Sequence, residues 1–97
     1  ENLRLPPLEM IKGLDIWEEE PNVELPVFPN HLDVSRVAHA IGERFKNTPI
    51  EVPALLVRRH GVTTWAPTTQ EARNRIEILE FIFRYMTEAR KLQFQQA

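Results

Sequence analysis

The residue in this sequence best suited to chemistry is His60. It closes the run Ala54-Leu55-Leu56-Val57-Arg58-Arg59-His60, apolar and then basic, and Gly61 follows at once. An imidazole at the mouth of a strand, beside a glycine that lets the chain turn and leaves the ring uncrowded, is well placed to hold a metal ion. One nitrogen does not make a metal site, so the whereabouts of its co-ligands is the main question. His31 follows Pro29-Asn30 in a stretch that reads as loop. His39 lies between Ala38 and Ala40 on a helix, pointing to solvent or to a neighbouring element. Neither is placed as a ligand. There is no cysteine, hence no thiolate site and no disulfide. On residue types alone, a structural histidine satisfying backbone groups at a strand end is the plainer reading of His60.

The other polar residues divide in the same way. Arg58 and Arg59 can reach an anionic substrate, but alternation along a strand more simply gives one of them an acidic partner across the sheet. Trp65 reads as a packing residue. Glu18-Glu19-Glu20 reads as a solvated turn, because consecutive side chains do not converge on one point. Glu9, near the start of a short helix, is suitably placed to interact with the helix dipole.

The elements that must position these residues follow from pattern. Pro6-Pro7 and then Leu8-Glu9-Met10-Ile11-Lys12-Gly13-Leu14 predict a short helix with Gly13 as its terminator. Asp15 to Asn22 reads as an exposed connection. Val23 to Phe28 predicts a short strand, which Pro26 assigns to an edge or a bulge. Asp33 or Ser35 caps a helix whose apolar face is Val34, Val37, Ala38, Ile41 and Phe45, ended by Asn47-Thr48-Pro49. Ala54 to Arg59 reads as a strand buried on both faces, and Val62 to Trp65 as its neighbour across the bend at Gly61. Ala66-Pro67-Thr68-Thr69-Gln70-Glu71 is the best helix start in the chain. The helix it opens runs to about Gln93. Its apolar positions, Ile76, Leu79, Phe83 and Met86 with Ile78, Phe81, Ile82, Tyr85 and Ala89 beside them, make a stripe wider than one sheet face requires. That width predicts cover from two sides, by its own sheet and by another subunit or a further segment. Three strands are too few for a sheet with helices on both faces, which suggests that part of the domain lies outside this sequence.

Bulk composition narrows the function classes. Ninety-seven residues make at most one small domain, and 42% hydrophobic with 27% charged residues is ordinary for a globular one. The net charge of −2, with both signs interspersed, gives no field for nucleic acid or an anionic membrane. No apolar run approaches the roughly 20 residues of a membrane span. The expectation is a protein of the cytoplasm. Because the chain begins Glu1-Asn2-Leu3, without methionine, it is read as starting inside something longer.

The run Leu56-Val57-Arg58-Arg59-His60-Gly61-Val62, with Trp65 three residues on and Ala72 in the next helix, resembles the C-terminal signature of the class II aldolase/adducin superfamily. Glu9-Met10-Ile11-Lys12-Gly13, about fifty residues upstream, sharpens the match to the methylthioribulose-1-phosphate dehydratases of methionine salvage. The resemblance implies an α/β fold: the C-terminal half of a three-layer α/β/α domain, with residues 1–97 as that half and the N-terminal half absent. It implies that His60 is the third zinc ligand and that Glu9 is the catalytic acid/base. The other two zinc ligands come from a His-x-His in the N-terminal half, as do the phosphate loops, and this sequence has no His-x-His. Oligomers, commonly tetramers with sites near subunit boundaries, are implied as well. Where the family has glycine after the tryptophan, Ala66-Pro67 stand here, which puts the shape of that bend in doubt.

Such chemistry asks for these residue types. Dehydrating a ketose phosphate removes a proton next to a carbonyl and expels a hydroxyl one carbon further on. Zn2+ held by three neutral imidazoles keeps its full charge and open positions, and acts as a Lewis acid at the carbonyl. A carboxyl group near the leaving hydroxyl can protonate it if burial raises its pKa, and the apolar Leu8, Met10 and Ile11 around Glu9 suggest such tuning. The implied reaction takes 5-methylthioribulose 1-phosphate to its 2,3-diketone. A sugar-phosphate aldolase or epimerase of the same superfamily, or a non-catalytic adducin-like assembly domain, are the alternatives.

Overall fold

The computed structural model describes residues 1–96. Its sheet has four strands in the order β1-β2-β3-β4: β1 Asn2–Arg4, β2 Glu24–Phe28, β3 Ala54–Val57 and β4 Gly61–Thr64. A 3-10 helix, Glu9–Leu14, follows β1. Helix α1, Val34–Asn47, connects β2 to β3, and α2, Thr69–Gln96, follows β4. The sequence reading has no counterpart to β1. It is three residues long, and what makes it a strand is a non-local partner: Leu3 lies opposite Leu25 in an antiparallel pair. With β1 in place the sheet has four strands, and the argument from too few strands no longer holds.

Pro26 is a second difference. It lies in an interior strand, buried, and not at an edge. Backbone groups of the odd residues of β2 face β1: Leu5 N–H donates to Val23 C=O and Val27 N–H to Glu1 C=O, both at 2.9 Å. Even residues therefore face β3, and Pro26 has no N–H to offer there. The parallel β2–β3 ladder accordingly starts after it, with Val27 opposite Leu56 and Phe28 opposite Val57. Arg58 N–H then donates to Phe28 C=O at 3.0 Å. Across the other edge β3 and β4 form an antiparallel hairpin from Ala54↔Thr64 to Val57↔Gly61.

Both faces of β3 are used, as its unbroken apolar run predicts. Phe28, Leu55 and Val57 pack under Val37, Ala40, Ile41 and Phe45 of α1. Ala54 belongs to the cluster on the other face, with Leu5, Ile11, Leu14, Leu25, Leu79 and Ile82. Asp33 caps α1 by accepting from Ser35 N–H at 3.0 Å, and Thr48 ends the helix in extended backbone. Phe45 meets Phe28 and Trp65 edge-on, with centroids 6.3 and 6.2 Å apart, so Trp65 packs as expected. Thr68 caps α2 through Glu71 N–H, and Arg75 donates to the Trp65 carbonyl at 2.7 Å, fixing the bend at Ala66-Pro67.

On α2 the inner stripe is filled: Leu79 and Ile82 are fully buried, with Ile78, Phe83 and Met86 against the same core. Phe81 and Tyr85, on the outer stripe, stay about half exposed. No helix among the described residues is long and apolar enough to cross a membrane.

Gly13 does not end its helix. Asp15, left-handed at φ 66°, does that, donating its N–H to the Lys12 carbonyl. Gly13 instead lets α2 approach, since a Cβ there would lie 2.3 Å from Ile78 Cδ1. Gly13→Ala should therefore destabilise the protein by roughly 1–2 kcal/mol, less in an Ile78→Val background that removes the clashing methyl. Gly42, whose added Cβ meets nothing within 4 Å, should give up to about 1 kcal/mol of stabilisation as Ala. Urea unfolding of the four variants, with equal costs at Gly13 and Gly42 as the contrary result, tests this packing.

Candidate functional site

The hairpin tip is shaped by backbone conformations that side chains seldom adopt. His60 N–H closes the turn onto Val57 C=O at 3.0 Å. Arg59 is left-handed at φ 65° and Gly61 sits at φ 109°. Gly61 is required for conformation alone, because an added Cβ would meet nothing within 4 Å. Arg59 bears a strain of about 1–2 kcal/mol that glycine would not. The turn leaves His60 exposed, as the sequence suggests. Arg58 forms an ion pair with Glu1, which lowers the Glu1 carboxyl below the ordinary range and raises the guanidinium. Of the two arginines, Arg58 thus has the acidic partner and Arg59 is exposed at the tip.

Glu9 opens the 3-10 helix. Ile11 turns inward and is buried, while Leu8 and Met10 pack part-buried against the core. Glu9 points the other way, 86% exposed, and accepts from Lys12 Nζ at 2.9 Å. The hydrogen bond and charge of Lys12 lower its pKa from the ordinary 4.5. This corrects the expectation of a carboxyl raised by burial: the apolar neighbours enter the core and do not surround the acid. Glu9 lies instead on the wall of an open groove of about 410 Å³, lined also by Leu8, Ile16 and Trp17. Trp17, 75% exposed, is held by its indole N–H donating to Asp15 at 3.2 Å. Trp17 lies in the stretch Asp15 to Asn22, whose pattern reads only as an exposed connection. An aromatic inside an acidic run, two residues after an aspartate, was the only available signal.

The chain does not bring Glu9 and His60 together. β3 runs parallel to β2 and delivers the tip beyond Phe28 and Val57. β1 exits at the other end, where Leu5 bonds to Val23 ahead of β2. The 3-10 helix that follows lies at that end too, its Lys12 and Gly13 sharing a depression with Pro67 and Glu71 beyond the exit of β4. The two residues thus occupy opposite ends of the sheet. His31 and His39 are both exposed, and no group of three His, Cys, Asp or Glu that could hold a metal occurs among the described residues. His60, exposed at the tip, presents one imidazole, a side chain of the type that ligates zinc.

Residues 6–87 match the family model described as Class II Aldolase and Adducin N-terminal domain. Among curated relatives, the methylthioribulose-1-phosphate dehydratase of Microcystis aeruginosa is 52% identical over 89 residues, 92% of this chain and 43% of the relative. The enzyme of that name from Persephonella marina is 43% identical over 79 residues, 81% of this chain and 35% of the relative. For Leptospira biflexa the figures are 40% over 89 residues, 91% and 42%. The chain therefore spans about two fifths of the length of these relatives.

Two measurements check the local physics. Gly61→Ala should lose roughly 1–3 kcal/mol by strain, while Arg59→Gly should gain up to about 1 kcal/mol; a loss in Arg59→Gly would give the arginine side chain a structural role. Lys12→Ala should return the Glu9 pKa toward 4.5 in an NMR titration. Since the pair depresses that pKa, its stabilisation is present above the unfolded value and lost as pH falls through the folded one. The variant and the parent should accordingly differ at neutral pH and converge in acid.

Proposed function

This chain belongs to the class II aldolase and adducin family, and on that footing we propose that it is the C-terminal part of a zinc-dependent cytoplasmic dehydratase. The enzyme converts 5-methylthioribulose 1-phosphate to 2,3-diketo-5-methylthiopentyl 1-phosphate, with loss of water, in methionine salvage. The observation that carries this reading is the sequence identity, up to 52%, with proteins named for that reaction over a segment that includes both Glu9 and His60. Residues 1–97 form the C-terminal half of a three-layer domain, whose N-terminal half supplies the other ligands and the phosphate loops.

His60 holds Zn2+ from the tip of the hairpin, with its ring clear of the sheet. When bound, the ion supplies Lewis acidity at the substrate carbonyl. Glu9 starts as a carboxylate, as its lowered pKa dictates. It takes the proton from the carbon beside the carbonyl and becomes the acid, then gives that proton to the hydroxyl one carbon further on, which leaves as water. The carboxylate is thereby regenerated, and the resulting enol becomes the diketone. One group serves as base and then acid, so no raised pKa is needed at the outset.

Because Glu9 and His60 occupy opposite ends of one sheet, a shared site forms between copies, with Glu9 of one subunit facing the hairpin tip of the next. That arrangement accords with a homo-oligomer, a tetramer on the family resemblance. Phe81 and Tyr85 offer apolar surface for assembly.

In the intact protein, His60→Ala should lose zinc and dehydration together. Glu9→Gln should retain zinc and lose at least about 100-fold in kcat. Mixing the two inactive variants should restore part of the activity, because a hybrid interface pairs an intact Glu9 with an intact His60. Full activity in Glu9→Gln would remove the carboxylate from the mechanism, and absence of any complementation would place both residues in one subunit.

A further inference from the structure

We infer that the groove beside Glu9 is the subsite for the thioether end of the substrate and that Trp17 is its specificity-determining residue. The inference rests on the function proposed above and adds to it the part of the chain that reads the substrate's apolar end.

Three observations converge. First, the groove adjoins the carboxylate assigned to the proton transfers and shares its wall with Leu8, Ile16 and Trp17. Second, Trp17 is a large aromatic left 75% exposed, yet its indole is oriented by the hydrogen bond to Asp15, which is itself fixed in left-handed backbone at the end of the 3-10 helix. An exposed aromatic that the fold orients, beside other apolar side chains, marks a surface awaiting an apolar group. Third, the charge of the groove selects which end of the substrate enters. Glu9, Glu18 and Glu19 line it against the single cation Lys12. That balance repels a phosphate and leaves the uncharged end of a sugar phosphate as the occupant. In 5-methylthioribulose 1-phosphate that end is a methyl thioether, a soft, polarisable group that packs well on an aromatic ring.

The site distinguishes the thioether from a hydroxyl at the same carbon. A hydroxyl brought against the indole face loses water there and the ring gives it no hydrogen bond in return, while the thioether loses little. In the intact enzyme, Trp17→Ala should reduce the ratio of kcat/KM for 5-methylthioribulose 1-phosphate over ribulose 1-phosphate by about tenfold. Trp17→Phe, which keeps an aromatic face, should restore most of the ratio. Zinc content and the circular dichroism spectrum should be unchanged in both. Trp17→Gln keeps a side chain of similar reach without the ring and should behave as Trp17→Ala, which guards against an effect of truncation on folding. If both substrates slow equally in Trp17→Ala, or the ratio is unchanged, the groove does not read the thioether. If the unsubstituted enzyme fails to turn over the thioether substrate at all, the proposed function itself fails.

Discussion

The sheet is held together at its centre by a very short parallel ladder. β1 and β2 form one antiparallel pair, β3 and β4 another, and only Val27↔Leu56 and Phe28↔Val57 join them, extended by Arg58 N–H onto Phe28. Parallel strands are not joined by a tight turn, so the link depends on the α1 crossover. Apolar packing compensates for the few hydrogen bonds. Phe28, Leu55 and Val57 are covered by α1 on one face, and Leu25 and Ala54 by the 3-10 helix and α2 on the other. Everything proposed about the site inherits this constraint. Arg58, whose N–H ends the ladder, is also the first residue of the turn that presents His60.

The same register separates the chemistry. One end of the sheet carries a basic turn with an exposed imidazole, and the other carries a carboxylate paired with lysine beside an acidic, aromatic groove. On the proposed function, a reaction that needs both would bring another copy to each site. Separation within a subunit then has a chemical use. On the proposed assignment, a carboxylate held away from its own subunit's His60 would meet the metal only after assembly, so reactive geometry and folded oligomer would arise together.

Much of this was legible in the sequence, for identifiable reasons. A cap at Asp33 or Ser35, a threonine cap at Thr68-Thr69, the unbroken apolar run of β3 and the bend at Gly61 are local signals; the structure places the caps at Asp33 and Thr68 and keeps the run and the bend. What failed to show was non-local. β1 is a strand because Leu25 lies opposite Leu3, and Pro26 is tolerated inside the sheet because the ladder starts beyond it. Gly13 looked like a helix terminator because glycine often is one, while its requirement comes from Ile78, sixty-five positions away along the chain. At the site, the exposure of His60 was readable and the environment of Glu9 was not. Apolar neighbours in sequence point into the core from alternate sides of a 3-10 turn, and the acid between them points out.

That outward carboxylate bears on how the site works once it is closed. On the proposed function, covering Glu9 with a neighbouring subunit and substrate would remove water and push its pKa up. Lys12, one turn along and 2.9 Å away, pulls in the opposite direction through its hydrogen bond and charge. Neither effect alone suits a group that must accept a proton and then release it. Burial favours the protonated acid and the lysine favours the carboxylate, the two states between which the proposed step alternates. Lys12 is on this argument a positioning residue, setting the charge of Glu9 before the substrate arrives.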